Sequence, residues 1–347
     1  MSTTLQSTLQ PTLQPSLQSR KHWIKNPATD LIFFSFGWIP VLLTLVTFKA
    51  NLDSIILFVI IFSYIHRHYT FGLVYGEKEE FEKRKSLYVI LPIAATLVTF
   101  VFVYLHSFKI LLTISVLWTM YHTVSQKYGI TRVYSRKAGY GAAWIEKGVI
   151  FSWFVYLFFE LAEKEKGTVL EYQAGEVILK YIGPYLQYLS TVSYFFLVVS
   201  ISFTLLFAYQ EFKNRHQISA AKILYVASTL ILYFIFLYSL VIGYVVFAFS
   251  HALEYIIFVN IFVNSKYKKK PESRSLLAMA SKKQWLYSSI FSIGIIAVCI
   301  LGREFNDNAF EIYIVGSSFL HFIYDGLIWK VRRPEVGKPF DIKYAST

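Results

Sequence analysis

The sequence predicts an all-α protein: a polytopic integral membrane helical bundle of about ten transmembrane helices, with N- and C-termini inside. Three observations lead there. Of the 347 residues, 55% are hydrophobic and only 16% are charged, against about 25% charged in a typical soluble domain. Several apolar runs reach about 20 residues, the length that crosses roughly 30 Å of hydrocarbon. The Lys and Arg residues collect in the connections on one side of those runs. This composition excludes a disordered chain, a coiled coil, a disulfide scaffold and an ordinary soluble enzyme.

In chain order, residues 1–19 (MSTTLQSTLQPTLQPSLQS) form an uncharged low-complexity tract. It lacks the basic start, apolar core and cleavage site of a signal peptide and reads as a disordered tail. Residues 1–30 are accordingly assigned to the tail and pre-membrane segment, 31–333 to the transmembrane domain and 334–347 to a C-terminal tail. The expected spans are 31–48, 54–75, 87–106, 110–131, 144–162, 186–209, 222–241, 243–264, 284–302 and 309–330. The seventh and eighth share one apolar stretch, broken near Ile242-Gly243, where glycine permits a tight turn. Between the second and third, Glu77–Lys85 (EKEEFEKRK) reads as a solvated helix extension with i,i+4 pairs such as Glu79–Lys83. Residues 163–184 suggest an interfacial helix outside, and 271–283 a segment on the inner surface. Gly139-Tyr-Gly141 marks a loop.

Charge orients these spans. The formal net charge is +13, and with the N-terminus inside all but six of the 34 Lys and Arg fall in inner segments. The six outside are Lys49, Lys109, Lys164, Lys166, Lys180 and Arg303. That is the positive-inside pattern of a cell (inner) membrane protein, and no nucleic-acid partner is needed to explain it. Lys127, Arg132, Arg136, Lys137, Arg332 and Arg333 belong to this basic side, enforcing topology or gripping an anionic headgroup. The single cysteine, Cys299, closes no internal disulfide and builds no thiolate metal site.

Ionisable groups inside a span cost about 2.5–3.5 kcal/mol each on insertion scales and default to functional hypotheses. These, with the polar Gln126, concentrate in four spans: His66, Arg67 and His68 in the second, His122 and Gln126 in the fourth, His251 and Glu254 in the eighth, His321 and Asp325 in the tenth. These four spans all run from outside to inside. At 1.5 Å per residue, His68, His122, His251 and His321 lie roughly 12–21 Å from the outer ends, in one mid-membrane layer. His122 and Gln126, His251 and Tyr255, and His321 and Asp325 are i,i+4 pairs on one helix face. His66 and His68 are separated by roughly 200° around a helix, so one faces the bundle and the other does not; His68 is expected inward and His66 near an interface.

A layer of neutral imidazoles with one or two carboxylates suits iron, copper or zinc. Asp325, Glu254, Tyr255 and Gln126 are the candidate catalytic or orienting groups; His68, His122, His251, His321 and His66 are the candidate metal ligands. Open positions on iron would allow oxygen chemistry on a hydrophobic small-molecule substrate arriving through the lipid bilayer. Three other readings stay open: hydrogen-bonding glue between helices, a proton or ion pathway in a transporter or proton-coupled permease, and a bis-histidine haem site. The chain shows no obvious inverted repeat and few Gly/Pro-broken helices, which counts against the transporter.

The histidines of the even spans, and His321-Phe-Ile-Tyr-Asp325 followed by Arg332-Arg333-Pro334, resemble the Brp/Blh family of membrane beta-carotene 15,15'-dioxygenases. Phe247-Ala-Phe-Ser-His251 is similar to that family's penultimate histidine-bearing helix, and Ile65-His66-Arg67-His68 with Phe71-Gly72 to its His-Phe-Gly segment. The resemblance implies an all-helical non-haem iron enzyme with histidine ligands in the bilayer, cleaving an isoprenoid or carotenoid-like substrate. It covers short patches in four helices. The family's N-terminal His-Gly motif has no counterpart in the first span, and Tyr255 stands where its His-x-x-x-His pattern places a second histidine. Desaturase-type histidine boxes, a Walker loop, a dinucleotide fingerprint, HExxH and a nucleophile elbow are all absent. The 26 Tyr and 32 Phe read mainly as lipid-facing and interfacial belts, with a minority left to line a tunnel. The expectation is thus a membrane-embedded, metal-dependent oxidoreductase or oxygenase.

Overall fold

A computed structural model describes residues 22–48, 50–164, 183–270 and 272–343. The tract 1–19 and most of the interfacial segment expected at 163–184 lie outside the described residues. A helix stands at each of the ten expected spans. A short helical segment at Pro27–Ser35, π-helical from Asp30 onward, leads into α1 (Ile39–Val46), bent from it by 46°. There follow α2 (Leu52–Gly76), α3 (Lys78–Lys83), α4 (Lys85–Tyr104), α5 (Phe108–Ala138), α6 (Ala143–Lys164), α7 (Leu189–Lys213) and α8 (Ala220–Tyr238). The chain ends with α9 (Leu240–Lys268), α10 (Leu276–Lys282), α11 (Gln284–Phe305), α12 (Asp307–Ile328) and α13 (Pro334–Gly337).

By length and composition six of these helices (α2, α4, α7, α8, α9 and α11) are able to cross a membrane, or seven with the bent pair, fewer than the ten expected. The three remaining long helices, α5, α6 and α12, are continuous but carry more polar residues. In α5 these include His122, Gln126 and Lys127, and in α12 His321 and Asp325. In α5 and α12 the residues of the centre are thus among those that weaken the apolar signal of the helix carrying them.

Helix ends follow from capping residues. Asn51, Ser219, Ser275 and Asn306 each accept a backbone N–H from the first turn of the helix they precede. Gly139 closes α5 at φ +79°, a left-handed position that glycine occupies without a Cβ penalty. The break between the seventh and eighth spans lies at Ser239, not at Gly243. Ser239 is extended, and its hydroxyl caps α9 through the Ile242 N–H at 3.3 Å. Gly243 is already one turn into α9, where a Cβ would stand 2.7 Å from the Phe236 backbone. The glycine serves the close approach of α8 and α9, and the serine serves the turn.

α9 is the central helix. It packs against α2, α8, α5 and α10 and buries Val245, Phe247, His251, Tyr255, Phe258 and Phe262. α4 and α11 stand at the periphery with Leu97, Phe100, Ile293 and Leu301 all more than half exposed. So much outward apolar surface is costly in water and neutral in hydrocarbon, which makes this a bundle suited to a bilayer. The two flanking segments pack as well. Trp23 and Ile24 are buried, and Asp30 accepts from the Ile24 and Lys25 N–H groups at 2.6 and 3.1 Å and from Tyr134 at 3.1 Å. Beyond α13, Phe340 stacks on Phe258 at 4.5 Å.

α10, with Leu276, Leu277 and Met279, falls in the segment expected at the inner surface, and Leu277 packs against Gly76 at the end of α2. Within Glu77–Lys85 only Lys78–Lys83 is helical as α3, between an extended Glu77 and a break at Arg84, and Glu77 is buried and holds Lys266 at 2.7 Å and the Tyr267 hydroxyl. That end of the segment is packed against α9.

Candidate metal centre

Four helices each contribute a histidine and a polar residue four positions later. The pairs are His66 and Thr70 on α2, His122 and Gln126 on α5, His251 and Tyr255 on α9, and His321 and Asp325 on α12. Four residues make slightly more than one turn, so each pair shares a face, with the histidine one turn N-terminal to its partner. The result is two stacked layers, imidazoles above and hydrogen-bonding groups below.

The imidazoles form a closed ring of edge-to-face contacts. Ring centroids are 4.8 Å apart for His66–His251, His66–His321 and His122–His321, and 5.2 Å for His122–His251. All four are buried, His321 completely. Two sets offer ligand atoms lying within 4.8 Å of one another: His66, His251 and His321; and His122, His321 and Asp325. Asp325 Oδ2 lies 3.5 Å from His122 Nε2 and 3.7 Å from His321 Nε2. Both ring nitrogens of His66, with His122 Nε2, His251 Nδ1 and His321 Nε2, have no hydrogen-bond partner. Buried polar atoms are nearly always satisfied, so five orphan nitrogens on four adjoining rings call for an explanation.

The lower layer fixes what the upper one offers. Thr70 Oγ1 lies 2.7 Å from His321 Nδ1, 2.9 Å from Asp325 Oδ1 and 2.5 Å from the Tyr255 hydroxyl. Tyr255 donates to Asp325 Oδ1 at 2.7 Å and accepts from Trp329 Nε1 at 3.2 Å. Each hydroxyl has one proton to give, and the chain of donors ends on the carboxylate. Thr70 is therefore left to accept from His321, which places the imidazole proton on Nδ1 and the free lone pair on Nε2, toward the cluster. Asp325 has Oδ1 doubly bonded and Oδ2 aimed at the same point. Gln126 donates Nε2 to the His251 carbonyl at 3.0 Å, and its Oε1 is unpartnered.

The order of the α2 pair is reversed from expectation. His66 faces the cluster, while His68 turns away, with Nδ1 2.7 Å from the Tyr64 carbonyl and Nε2 against the Tyr313 hydroxyl. His68 belongs to neither set. The physical reason is the roughly 200° between positions two apart: once Thr70, four after His66, meets Asp325, His68 must point elsewhere. Glu254 also joins neither set. It is fully buried and bonded to Lys127, to Ser250 at 2.7 Å and to Tyr225 at 2.9 Å. Lys127, read from sequence as a basic-side charge, is itself buried and is this carboxylate's counter-ion.

Thr70 and Trp329 are the residues that sequence reasoning missed. Thr70 carried the signal, the same four-residue spacing from a histidine as the other three pairs. Arg67, singled out inside the second span but given no role there, is buried in mid-helix and donates to the Ile314 carbonyl at 2.7 Å and Ser317 Oγ at 2.9 Å.

A cavity of about 450 Å³ reaches the centre at His122, Gln126, Tyr255 and Asp325, and is otherwise lined largely by apolar and aromatic side chains such as Trp118, Phe322 and Trp329. It lies between α5 and α12. Trp118 and Tyr121, both exposed, stand at its rim, and Gly129 and Gly326 line it with no atom within 4 Å of where a Cβ would sit. The gap therefore faces the apolar surroundings of the bundle. The chain matches no family model, no curated protein and no solved structure, so these distances and the chemistry of the donor set carry the functional argument.

Proposed function

We propose that the four imidazoles and Asp325 hold one metal ion, and that the chain is a membrane-embedded oxidoreductase or oxygenase acting on a hydrophobic substrate. The observation that carries this reading is that all four imidazoles keep an unpartnered ring nitrogen and fall into two overlapping ligand triplets, one with Asp325, joined at His321. Metal ligands need free lone pairs, and a ligating histidine usually gives its other nitrogen to a carboxylate, carbonyl or hydroxyl; His321, tied through Nδ1 to Thr70, fits that description. The two ligand sets share His321 and it has one free nitrogen, which favours a single ion over two. His66, His122, His251 and His321 would be ligands, with Asp325 a fifth ligand or the group that orients them. Glu254 and His68 have no place in this centre.

Histidine nitrogens with one carboxylate oxygen suit non-haem iron, and also zinc or copper. The resemblance to the Brp/Blh dioxygenases favours iron, which when bound would supply one-electron chemistry toward dioxygen. A haem is disfavoured, because the packed ring of imidazoles leaves no plane for a macrocycle. A proton relay is also disfavoured, because the rings meet at one point instead of standing in file along the helices. The chain's own residues do the rest. Thr70 and Tyr255 hold Asp325, and Gln126 offers Oε1 to the cavity as an acceptor. The aromatic walls exclude water. A cavity of about 450 Å³ falls within the roughly 300–1,000 Å³ of small-molecule sites; a long isoprenoid would lie partly inside it and partly in the bilayer, passing Gly326.

Metal analysis of detergent-purified protein tests the reading. Wild type is expected to carry about one metal per chain, and alanine at His66, His122, His251 or His321 to lower that occupancy. Stoichiometric metal surviving all four substitutions would sink it.

A further inference from the structure

The large cavity meets one side of the cluster. On the other side a second cavity, of about 130 Å³, is lined by His66, His251 and His321 together with Arg67, Thr123 and Ala248. The two cavities share a single lining residue, Phe322. The imidazoles are thus approached from two separate spaces of unequal size and different charge.

Arg67 is the formal charge of the smaller space. An arginine keeps its proton, and an unpaired charge at membrane depth is expensive. Its contacts are neutral: a backbone carbonyl, a serine hydroxyl and the Tyr64 ring, 5.6 Å from the guanidinium carbon. Among the described residues no Asp or Glu pairs with it; the two carboxylates nearest the centre are engaged, Asp325 by Thr70 and Tyr255 and Glu254 by Lys127. A guanidinium presents five N–H donors, more than these neutral acceptors use. The same space is bordered by the unpartnered nitrogens of His66 and His251. Water occupies about 30 Å³ per molecule, so a cavity of about 130 Å³ admits a small ion and excludes an isoprenoid.

We propose that the smaller cavity is a binding site for a small monoanion of the size of azide or formate, held between the Arg67 guanidinium and the His66–His251 side of the centre. Its contact with the centre rests on the metal reading above; its contact with Arg67 stands without it. The hydrophobic substrate and the small ligand then reach the centre from opposite faces without competing for space. Arg67 also stabilises negative charge developing on that face, since a fixed cation in a low-dielectric site acts strongly.

The test uses the full chain in detergent with azide as the probe. It is read by visible absorption of the Co(II)-loaded protein and by thermal unfolding of the metal-free protein. Wild type should bind azide with a change in the Co(II) spectrum. Arg67→Met should weaken that binding at least tenfold with Co(II) still bound, and Arg67→Lys should recover part of it. Ala248→Leu, which fills the same cavity and leaves the arginine in place, should weaken azide binding too, so the result does not hang on one variant folding. Azide binding equal to wild type in both Arg67→Met and Ala248→Leu overturns the proposal. If no Co(II) binds, yet azide raises the Tm of wild type and not of Arg67→Met, the metal reading fails and the anion site stands. An azide response independent of Arg67 in both measurements overturns it.

Discussion

Replacing Thr70 with valine removes one oxygen from the centre and leaves its shape nearly unchanged. That oxygen lies 2.7 Å from His321 Nδ1 and 2.9 Å from Asp325 Oδ1. Without it the imidazole N–H has no acceptor, and Asp325 Oδ1 keeps only Tyr255. Stranding one buried donor costs about 1–3 kcal/mol. Part of that cost is escaped if His321 moves its proton to Nε2, but that nitrogen then cannot ligate. Either route penalises the metal-bound form, and outer-shell substitutions of this kind typically cost about 10–100-fold in metal affinity, or about 1.4–2.7 kcal/mol. Competition with a chelator of known affinity reads the loss directly, with Thr70→Ser expected to stay near wild type because it keeps the hydroxyl. An affinity for Thr70→Val within about twofold of wild type, in folded protein, would refute the proton accounting at His321.

Three further outcomes follow from the same geometry. His68→Ala should keep its metal while His66→Ala loses it, measured by metal content of the purified variants; the opposite result would restore the orientation first expected for this pair. Glu254→Gln should destabilise the fold by about 3–5 kcal/mol, because it leaves Lys127 buried without its counter-ion, yet metal affinity in the folded fraction should stay near wild type; chelator competition and thermal unfolding separate the two. Gly326→Leu places a side chain in the gap between α5 and α12 where no atom now stands within 4 Å of its Cβ position. It should weaken binding of a hydrophobic probe by about tenfold without metal loss, and an unchanged probe affinity would rule out entry there.

The helices and the histidine-bearing four were legible in the sequence because both rest on local signals, apolar run length and the scarcity of polar groups within runs. What was not legible depends on partners distant in the chain. His66 and His68 are equally polar, and only the meeting of Thr70 with Asp325, 255 residues away, decides which one faces inward. Glu254 looked like a member of the centre because a carboxylate three residues from a histidine is a common arrangement. Its true partner, Lys127, is 127 residues away and was itself taken for a surface charge. The turn before α9 was placed at the glycine, since glycine is the stronger turn signal. Ser239 makes the turn by capping, and Gly243 answers a contact with Phe236 that no local pattern reveals.

X-ray absorption at the edge of the metal that copurifies with the chain tests the central claim most directly. The account predicts a nitrogen/oxygen shell with multiple scattering from three or four imidazoles, and a loss of imidazole scattering in His321→Ala. A purified, folded protein with no metal above trace, or a metal shell without imidazole, would contradict it.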